Sequence, residues 1–582
     1  MVNEEIAEIF EKISKLLAFK GADHFRILAY QRAATSLREL GEDLITLAQA
    51  GKLQEIPGIG KDLAAMITEY IKYGRIERYE RESRGVPEGL IALMDIPGLG
   101  PKTLAQLYEN FHIKNLADLE RLLTSDALLE LHGFGKKRVE NLQRGIKLWK
   151  ASQQRLSIGI ALPLAEKLLD EVRKISLVEH AEAAGSIRRR RETIGDLDLL
   201  IISQDSTQAL AQIAKLPIVR QVLALGDTRA SVIIDSGLQV DIRAVAEESY
   251  GAALQYFTGS KQHNVHLRTI ALAHGLKVNE YGIFRGTRRL GGNREEDIYR
   301  LLGLKMMPPE LREDRGEIEA SLTHNLPVLI ELADLRGDLH THTTYSDGKS
   351  TIEEMVEQAA VLGYQYIALT DHSPSVKIAH GVELARLEKK IEEIEKLRVR
   401  RGNRAPHILI GSEVDILADG RLDYPDEVLA RLDVIVASIH SAFQQNRDRM
   451  TGRLLDAIAN PYVHIIGHPT TRHIGSRAPV EFDFERVIAS AVAAGVALEI
   501  NASPYRLDLN ETMARTAQEA GVLLAIDSDA HHTTHLEQIR YGIYQARRGW
   551  IRPESVINTW SWAKLSRWLR HRTHGTKLSS VA

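Results

Sequence analysis

The sequence predicts a multidomain chain: an all-α N-terminal region, an α+β middle, and a C-terminal α/β region whose strands and helices alternate into a barrel. Three observations predict it. Apolar residues recur at helical spacing from Ile6 through Ile9, Phe10 and Ile13 to Leu17, and short helical segments continue to about residue 150. From about residue 156 the texture is mixed, with strand-like runs at 198–203, 230–235 and 238–245 and helical character over 250–275. Beyond residue 335, apolar runs alternate with helical stretches, and the runs end repeatedly in histidine or carboxylate.

Composition narrows the chemistry. A chain of 582 residues exceeds one core, since domains hold about 100–200 residues each. With no cysteine, disulfides, thiolate zinc sites and cysteine nucleophiles are excluded, so any metal is held by N and O ligands. The acidic start Met1-Val2-Asn3-Glu4-Glu5 lacks an apolar signal core and no run reaches membrane-spanning length, so a cytoplasmic protein with no membrane partner is expected. The net charge of −3 does not advertise nucleic-acid binding, which must then rest on local patches.

Such patches recur in the helical region. Gly58, Gly60 and Lys61, then Gly98, Gly100 and Lys102, then Gly133 and Gly135 with Lys136 and Lys137, form three glycine-hydrophobic-glycine turns, each before a helix. Glycines there let backbone N–H groups and a helix N-terminus approach a phosphate, and such contacts read backbone rather than sequence. One copy is more simply a helix-to-helix turn; three argue for DNA. The turns resemble helix-hairpin-helix motifs, the third without the preceding proline, and divide the region into DNA-binding units at 1–85 and 86–150. Gly98→Glu is expected to weaken binding of all DNA sequences alike, and affinity is expected to fall steeply with salt in proportion to phosphate contacts; titrations on two unrelated duplexes at several salt concentrations check this, and a sequence-selective defect would contradict it.

In the middle region Gly185 and Ser186 precede Asp196 and Asp198, which strand alternation places on one face, and Asp241 closes a neighbouring run. Three carboxylates can hold two Mg2+ or Mn2+ ions for in-line displacement at a triphosphate. A lone Asp-x-Asp is usually a solvated strand end, but the Gly-Ser before it and the third aspartate favour a nucleotidyltransferase. The segment resembles the family X DNA polymerases, which include DNA polymerase beta, over residues 1–312. That resemblance implies a palm at 151–249 and a thumb-like subdomain at 250–315. It implies Gly185, Ser186 and Arg189 at the triphosphate, Tyr256, Phe257 and Gly259 beneath the sugar, and Asn264 and Arg268 at the nucleotide edge and template. One position departs: the lysine that eukaryotic relatives use to remove a 5′-deoxyribose phosphate is Met66 here. Weak or absent lyase activity is expected, with Lys61 or Lys72 as substitutes.

After a polar link at 316–335 come apolar runs at 335–339, 367–370, 408–411, 434–438, 463–467, 496–500 and 522–526. All but the run before Asn501 end at a candidate ligand: His340 with His342, then His372, Glu413, His440, His468, and Asp529 with His531, while Asp347 follows the first pair. Barrels place catalytic groups at the C-terminal strand ends. His324, His407 and His464 read as surface histidines, and the role of His532 stays open. The set could hold about three ions, Glu413 bridging two, and mixed histidine and carboxylate ligands suit Mn, Zn or Fe. The runs Asp338-Leu339-His340-Thr341-His342, Thr370-Asp371-His372-Ser373, Gly467-His468-Pro469 and Ser528-Asp529-Ala530-His531 resemble the PHP domain, a metal-dependent phosphoesterase, here a distorted (β/α)7 barrel at 336–570 followed by a basic tail at 571–582.

Family X polymerases of bacteria and archaea commonly carry this domain. The resemblance implies a short-gap-filling DNA repair polymerase, in base excision repair or end joining. Its attached 3′-5′ exonuclease could also act as abasic-site endonuclease or 3′-phosphatase. Expected partners are gapped or primer-template DNA, dNTPs and other repair proteins, with the chain itself a monomer. Two alternatives are an RNA or small-molecule nucleotidyltransferase fused to a phosphatase, which the hairpin turns disfavour, and a DNA-end scaffold with decayed sites, which the complete ligand sets disfavour.

Overall fold

The computed structural model describes residues 2–39, 44–56, 58–96, 99–123, 155–475 and 477–575, with scattered residues between 125 and 146. Two separate apolar cores organise the helical region. Ile6, Phe10, Ile13, Leu37, Ile59 and Ile67 belong to the first, and Leu90, Leu99, Leu104, Leu107 and Phe134 to the second.

The glycine turns share one backbone pattern. Ile59 N–H donates to Ile56 O, Leu99 to Ile96 and Phe134 to Leu131, at 2.9–3.0 Å. Gly60 and Gly100 then cap the helices Lys61–Tyr73 and Pro101–Phe111. Gly58 has φ +81, a left-handed conformation that glycine adopts without strain. Gly98, Gly133, Lys136 and Lys137 lie outside the described residues.

The middle region carries a five-stranded sheet in the order Val178–Ala183, Asp196–Ser203, Gln239–Ala244, Arg229–Ile234, Val219–Leu225. The two outermost strands were not among the apolar runs. The first buries only Val178 and Ala181 among polar neighbours, and the last buries no residue fully, with Val222, Leu223 and Leu225 exposed. Helices Tyr250–Thr258 and Lys261–Ala273 follow, then a three-stranded antiparallel sheet. The stretch read as a polar link opens with the helix Glu317–Leu322, because Ile318 packs into the core that precedes it and Glu317 is buried against His263.

The C-terminal region forms one seven-stranded parallel sheet in strict chain order, from Gly337–Asp338 to Leu524–Asp527. A parallel bridge between Thr341 and Ala530 joins the first strand's extension to the last, and Asp529 N–H donates to His340 O at 3.0 Å, so the sheet closes into a barrel. The first strand is two residues long, so His340 and His342 lie just beyond it, held in alternation by that bridge. The third strand runs on to Asp415, which places Glu413 inside it rather than at its end.

His464 is fully buried, not superficial: it immediately precedes the fifth strand, Ile465–Ile466, and its Nδ1 accepts from Ile435 N–H at 3.2 Å. His407 stacks on Trp562, and His324 is exposed. The helix Trp562–Gly575 continues into the stretch read as tail, anchored by Leu565 and Leu569 in the barrel floor; residues 576–582 lie outside the described ones. Among the described residues no helix is long and apolar enough to cross a membrane.

The barrel packs directly on the five-stranded domain. Leu507 and Tyr541 of the barrel enter that domain's core, and a Cβ on Gly159 would fall 2.3 Å from Pro504.

Candidate functional site

In the five-stranded sheet, parallel pairing sets Asp198 beside Asp241 and Asp196 beside Gln239. Gln239 Nε2 donates to Asp241 Oδ2 at 3.0 Å, which fixes that carboxylate. Gly185 has φ +61, and a Cβ there would fall 2.1 Å from Asp198 Oδ2, so only glycine lets the turn approach the carboxylate so closely. Burial, then Asp196 and Asp241, pushes the Asp198 carboxyl up to about 7. Burial, then Asp241, raises Asp196 as well, and carboxylates crowded in this way are a site that cations relieve.

Gly185, Ser186, Arg189, Asp196, Asp198, Tyr256, Phe257, Gly259, Asn264 and Arg268 line one cavity of about 500 Å³. Asn264 is pinned, donating to Tyr256 O at 2.7 Å and accepting from Gln255 at 2.8 Å. Phe257 lies under the Arg243 guanidinium at 4.5 Å. Lys261, which sequence reasoning passed over, lines the same cavity; burial and the nearby Arg268 lower its pKa. Arg189 reaches the cavity already committed, donating to Thr258 O at 2.5 Å and Glu313 at 3.1 Å.

At the barrel's C-terminal mouth all the expected ligands converge. His342, Asp347, His372 and His531 form one group, His340, His342 and Asp529 a second, and His372, Glu413 and His440 a third. His468 Nε2 lies 2.9 Å from Glu413 Oε1. Glu413 is the hub: its other oxygen is 2.8 Å from His372, 3.4 Å from His340 and 3.6 Å from His342. Burial alone would raise this carboxyl, but His440, His372 and His340 hold it well below its ordinary value.

The residues fit metal ions by an independent sign. His340 Nε2, both nitrogens of His342 and His440, His372 Nδ1, Asp347 Oδ1 and Glu413 Oε2 are buried without hydrogen-bond partners among the described residues, at costs folding avoids unless another ligand satisfies them. His468 and Asp529 also adopt left-handed backbone at φ 27 and φ 54, strain of the kind that clusters at functional sites.

A ring of residues behind the ligands orients them. Glu499 Oε1 lies 2.7 Å from His340 Nδ1, and Asn501 donates to Asp529 at 3.1 Å, so the one strand without a ligand still serves the centre. Asp371 accepts from Thr343 and Ser346, holding the loop before Asp347, and is itself paired with the fully buried Lys390 at 2.8 Å.

Comparison with known proteins decides the family. The chain is 38% identical over 565 residues to the DNA polymerase/3′-5′ exonuclease PolX of Bacillus subtilis, covering 96% of this chain and 97% of that protein. The chain belongs to the family X DNA polymerases that carry a PHP domain. Family models agree part by part: a helix-hairpin-helix domain at 1–76, a SAM-like helix-hairpin-helix tandem at 90–147, a DNA polymerase beta thumb at 253–313 and a PHP domain at 338–503. DNA polymerase lambda of Arabidopsis thaliana is 24% identical over 348 residues, 53% of this chain and 62% of its own. A probable phosphatase of Thermoanaerobacter sp. (strain X514) is 34% identical over 238 residues, 38% of this chain and 89% of its own.

Family X membership makes the chain a DNA-binding enzyme with metal-dependent chemistry in palm and PHP domain alike. It also explains why the helical region repeats its turn.

Proposed function

We propose that this family X chain fills short gaps in damaged DNA and that its PHP barrel removes nucleotides from 3′ ends, with abasic-site cleavage and 3′-dephosphorylation as extensions of the same phosphoesterase chemistry. One observation carries it: a single chain holds both an aspartate cavity walled by Tyr256, Phe257, Asn264 and Arg268 and a barrel mouth where three groups of histidines and carboxylates could each hold a metal ion. The name of the Bacillus subtilis relative supports the pairing of activities.

Asp196, Asp198 and Asp241 would hold Mg2+ or Mn2+, and the barrel ligands about three Mn2+, Zn2+ or Fe ions. When bound, such ions neutralise phosphate charge and acidify the attacking hydroxyl or water. The chain's own residues do the rest. Gly185 and Ser186 offer donors to the triphosphate beside Asp198. Tyr256 and Phe257 form the floor under the sugar, and Asn264 and Arg268 face the base and template. The exposed Lys61 and Lys102 at helix starts add charge where Gly60 and Gly100 let the strand's phosphates approach. Base excision repair and end joining both supply such gaps. The working unit is a monomer in the cytoplasm that meets dNTPs, gapped DNA and other repair proteins.

A time course on gapped duplex with a mismatched 3′ end tests this, with and without dNTPs, in Mg2+ and Mn2+ separately. Shortening without dNTPs and extension with them are expected. Protein that neither extends nor shortens the strand in either metal would sink the proposal, and a gapped duplex that competes no better than free nucleotide would redirect it to another substrate.

The N-terminal cavity of about 790 Å³ contains Met66, whose sulfur accepts from Tyr30 at 3.7 Å, together with Lys61, Arg26, Arg78 and Arg81. A thioether cannot condense with an aldehyde. Borohydride treatment with 5′-deoxyribose-phosphate DNA should therefore trap little or no covalent complex with wild type, whereas Met66→Lys should trap one by loss of water between amine and aldehyde. Strong trapping by wild type that Lys61→Ala abolishes would show that Lys61 has taken the role.

A further inference from the structure

The barrel helix Ile539–Arg548 ends in two arginines that reach back into the polymerase half. Arg547 Nε donates to Glu310 at 2.8 Å, and Arg548, whose side chain is 1% exposed, donates to Glu313 and to the Arg189 carbonyl at 3.0 and 2.8 Å. Its other nitrogen is held by Glu511 of the barrel at 3.1 Å. Residues 310–313 thus form a strap clamped from below by the PHP domain.

From above, the same strap grips the nucleotide cavity. Glu313 also accepts from Arg189 at 3.1 Å and from Arg191 at 3.4 Å, and Arg312 O accepts from Ser260 N–H at 2.9 Å. Arg189 in turn donates to Thr258 O, and a Cβ on Gly259 would sit 3.0 Å from its guanidinium. The 258–260 turn is held by the strap at Ser260 and by two guanidinium groups at Thr258, Arg188 on its side-chain oxygen at 2.7 Å and Arg189 on its carbonyl, and of these two Arg189 shares the Glu313 carboxylate with the barrel. Burial pushes the Glu313 carboxyl up, but Arg189, Arg548 and Arg191 together hold it below its ordinary value.

We propose that Arg548 of the PHP domain is a positioning residue for the polymerase reaction: by sharing Glu313 with Arg189, it fixes the 258–260 turn and sets the affinity for the incoming nucleotide. Without Arg548 the buried Glu313 loses one of three cations and draws harder on Arg189, pulling it from the Thr258 carbonyl. A turn that holds the nucleotide equally in ground state and transition state contributes binding alone, so loosening it raises KM and leaves kcat unchanged. The same helix packs on the last strands of the barrel, where Gly542 allows Ile526 and Ala502 to approach; a Cβ there would lie 2.7 and 2.8 Å from their side chains. The helix is thus closely packed on the barrel, while the hydrogen bonds of Arg548 go to Arg189, Glu313 and Glu511 rather than to the candidate metal ligands.

The inference rests on the reading of the palm cavity as the nucleotide site, and full-length protein tests the two separately. With Arg548→Met, KM for dNTP on gapped DNA should rise about 10-fold, while kcat at saturating nucleotide and 3′-5′ shortening stay close to wild type. Arg548→Lys, which keeps charge but loses the fork, should fall between. Glu313→Gln should raise KM as well, and the double variant should be no worse than the poorer single one, because both act through one contact. An unchanged KM in folded Arg548→Met, or effects that multiply in the double variant, would overturn the inference. If Arg548→Met melts early or loses shortening too, Glu313→Gln carries the same KM criterion. A wild-type protein that incorporates no nucleotide defeats the cavity assignment instead.

Discussion

Asp198→Ala abolishes nucleotide addition, by at least about 10³-fold, and leaves 3′-end shortening intact: this is the expected result of primer-extension and exonuclease assays run on one preparation. The size follows from metal-assisted phosphoryl transfer, where the ions contribute several kcal/mol and each 1.36 kcal/mol is about tenfold in rate. Asp198 pairs with Asp241 across the sheet and lies directly against the Gly185 turn, at the centre of the three carboxylates. The stability effect runs the other way. A carboxyl pushed up to about 7 in the fold is protonated more readily there than in the unfolded chain. It therefore disfavours folding increasingly as pH rises from the ordinary carboxylate range, and in full above about 7. Without divalent ions at pH 8, Asp198→Ala should melt no lower than wild type, and higher if the cavity left behind costs less than the relieved repulsion. A variant that melts several degrees lower and loses both activities would show that Asp198 holds the fold rather than the reaction.

The histidines and carboxylates that converge at the barrel mouth were legible because all but Asp347 stand beside or just past an apolar run, where hydropathy changes sign and a histidine is conspicuous. Glu413 showed this way even though it lies within its strand, since the run of apolar residues stops at Gly411 while the hydrogen bonding continues to Asp415. What supports the ligands was hidden by the same signal. Glu499 is the single carboxylate inside the run 496–500, and a run read as apolar conceals it. Lys390 lies on Leu384–Arg401, a helix so rich in charge that every lysine on it reads as solvated, yet this one is buried against Asp371 and the carbonyls of Leu369 and Gly411. His464 read as superficial because nothing local reveals that Ile435 and Trp568 cover it. In the palm, the aspartates and the Gly-Ser turn were legible from alternation and spacing, whereas the commitment of Arg189 to Glu313 was not. That pair is 124 residues apart, and Arg548 lies 235 residues beyond Glu313. Contacts of such separation leave no periodic trace.

The complementary experiment removes the barrel's shared ligand. His342, like His372, belongs to two of the three candidate ligand groups, and it is the residue shared by the group of Asp347 and His531 and the group of His340 and Asp529. Its ring stacks on His531 with centroids 4.2 Å apart and lies 4.5 Å from His372. His342→Ala should therefore empty or distort two positions at once and cut 3′-end shortening by at least about 10³-fold, with nucleotide addition within a few-fold of wild type. The imidazole is fully buried, and burial followed by the charges of His531 and His372 lowers it to about 4, so it is neutral near pH 7 and its removal strands no charge. What remains is a cavity, at roughly 2–4 kcal/mol by analogy with other large-to-small substitutions. Glu413→Gln separates the two effects, because it keeps the volume and removes the charge on which the histidines converge. Shortening should disappear in that variant too, and bound metal measured after dialysis should fall in both. Should polymerisation fall with shortening in both folded variants, the two halves would be one catalytic unit, and the strap clamped by Arg548 would be the place to look for the reason.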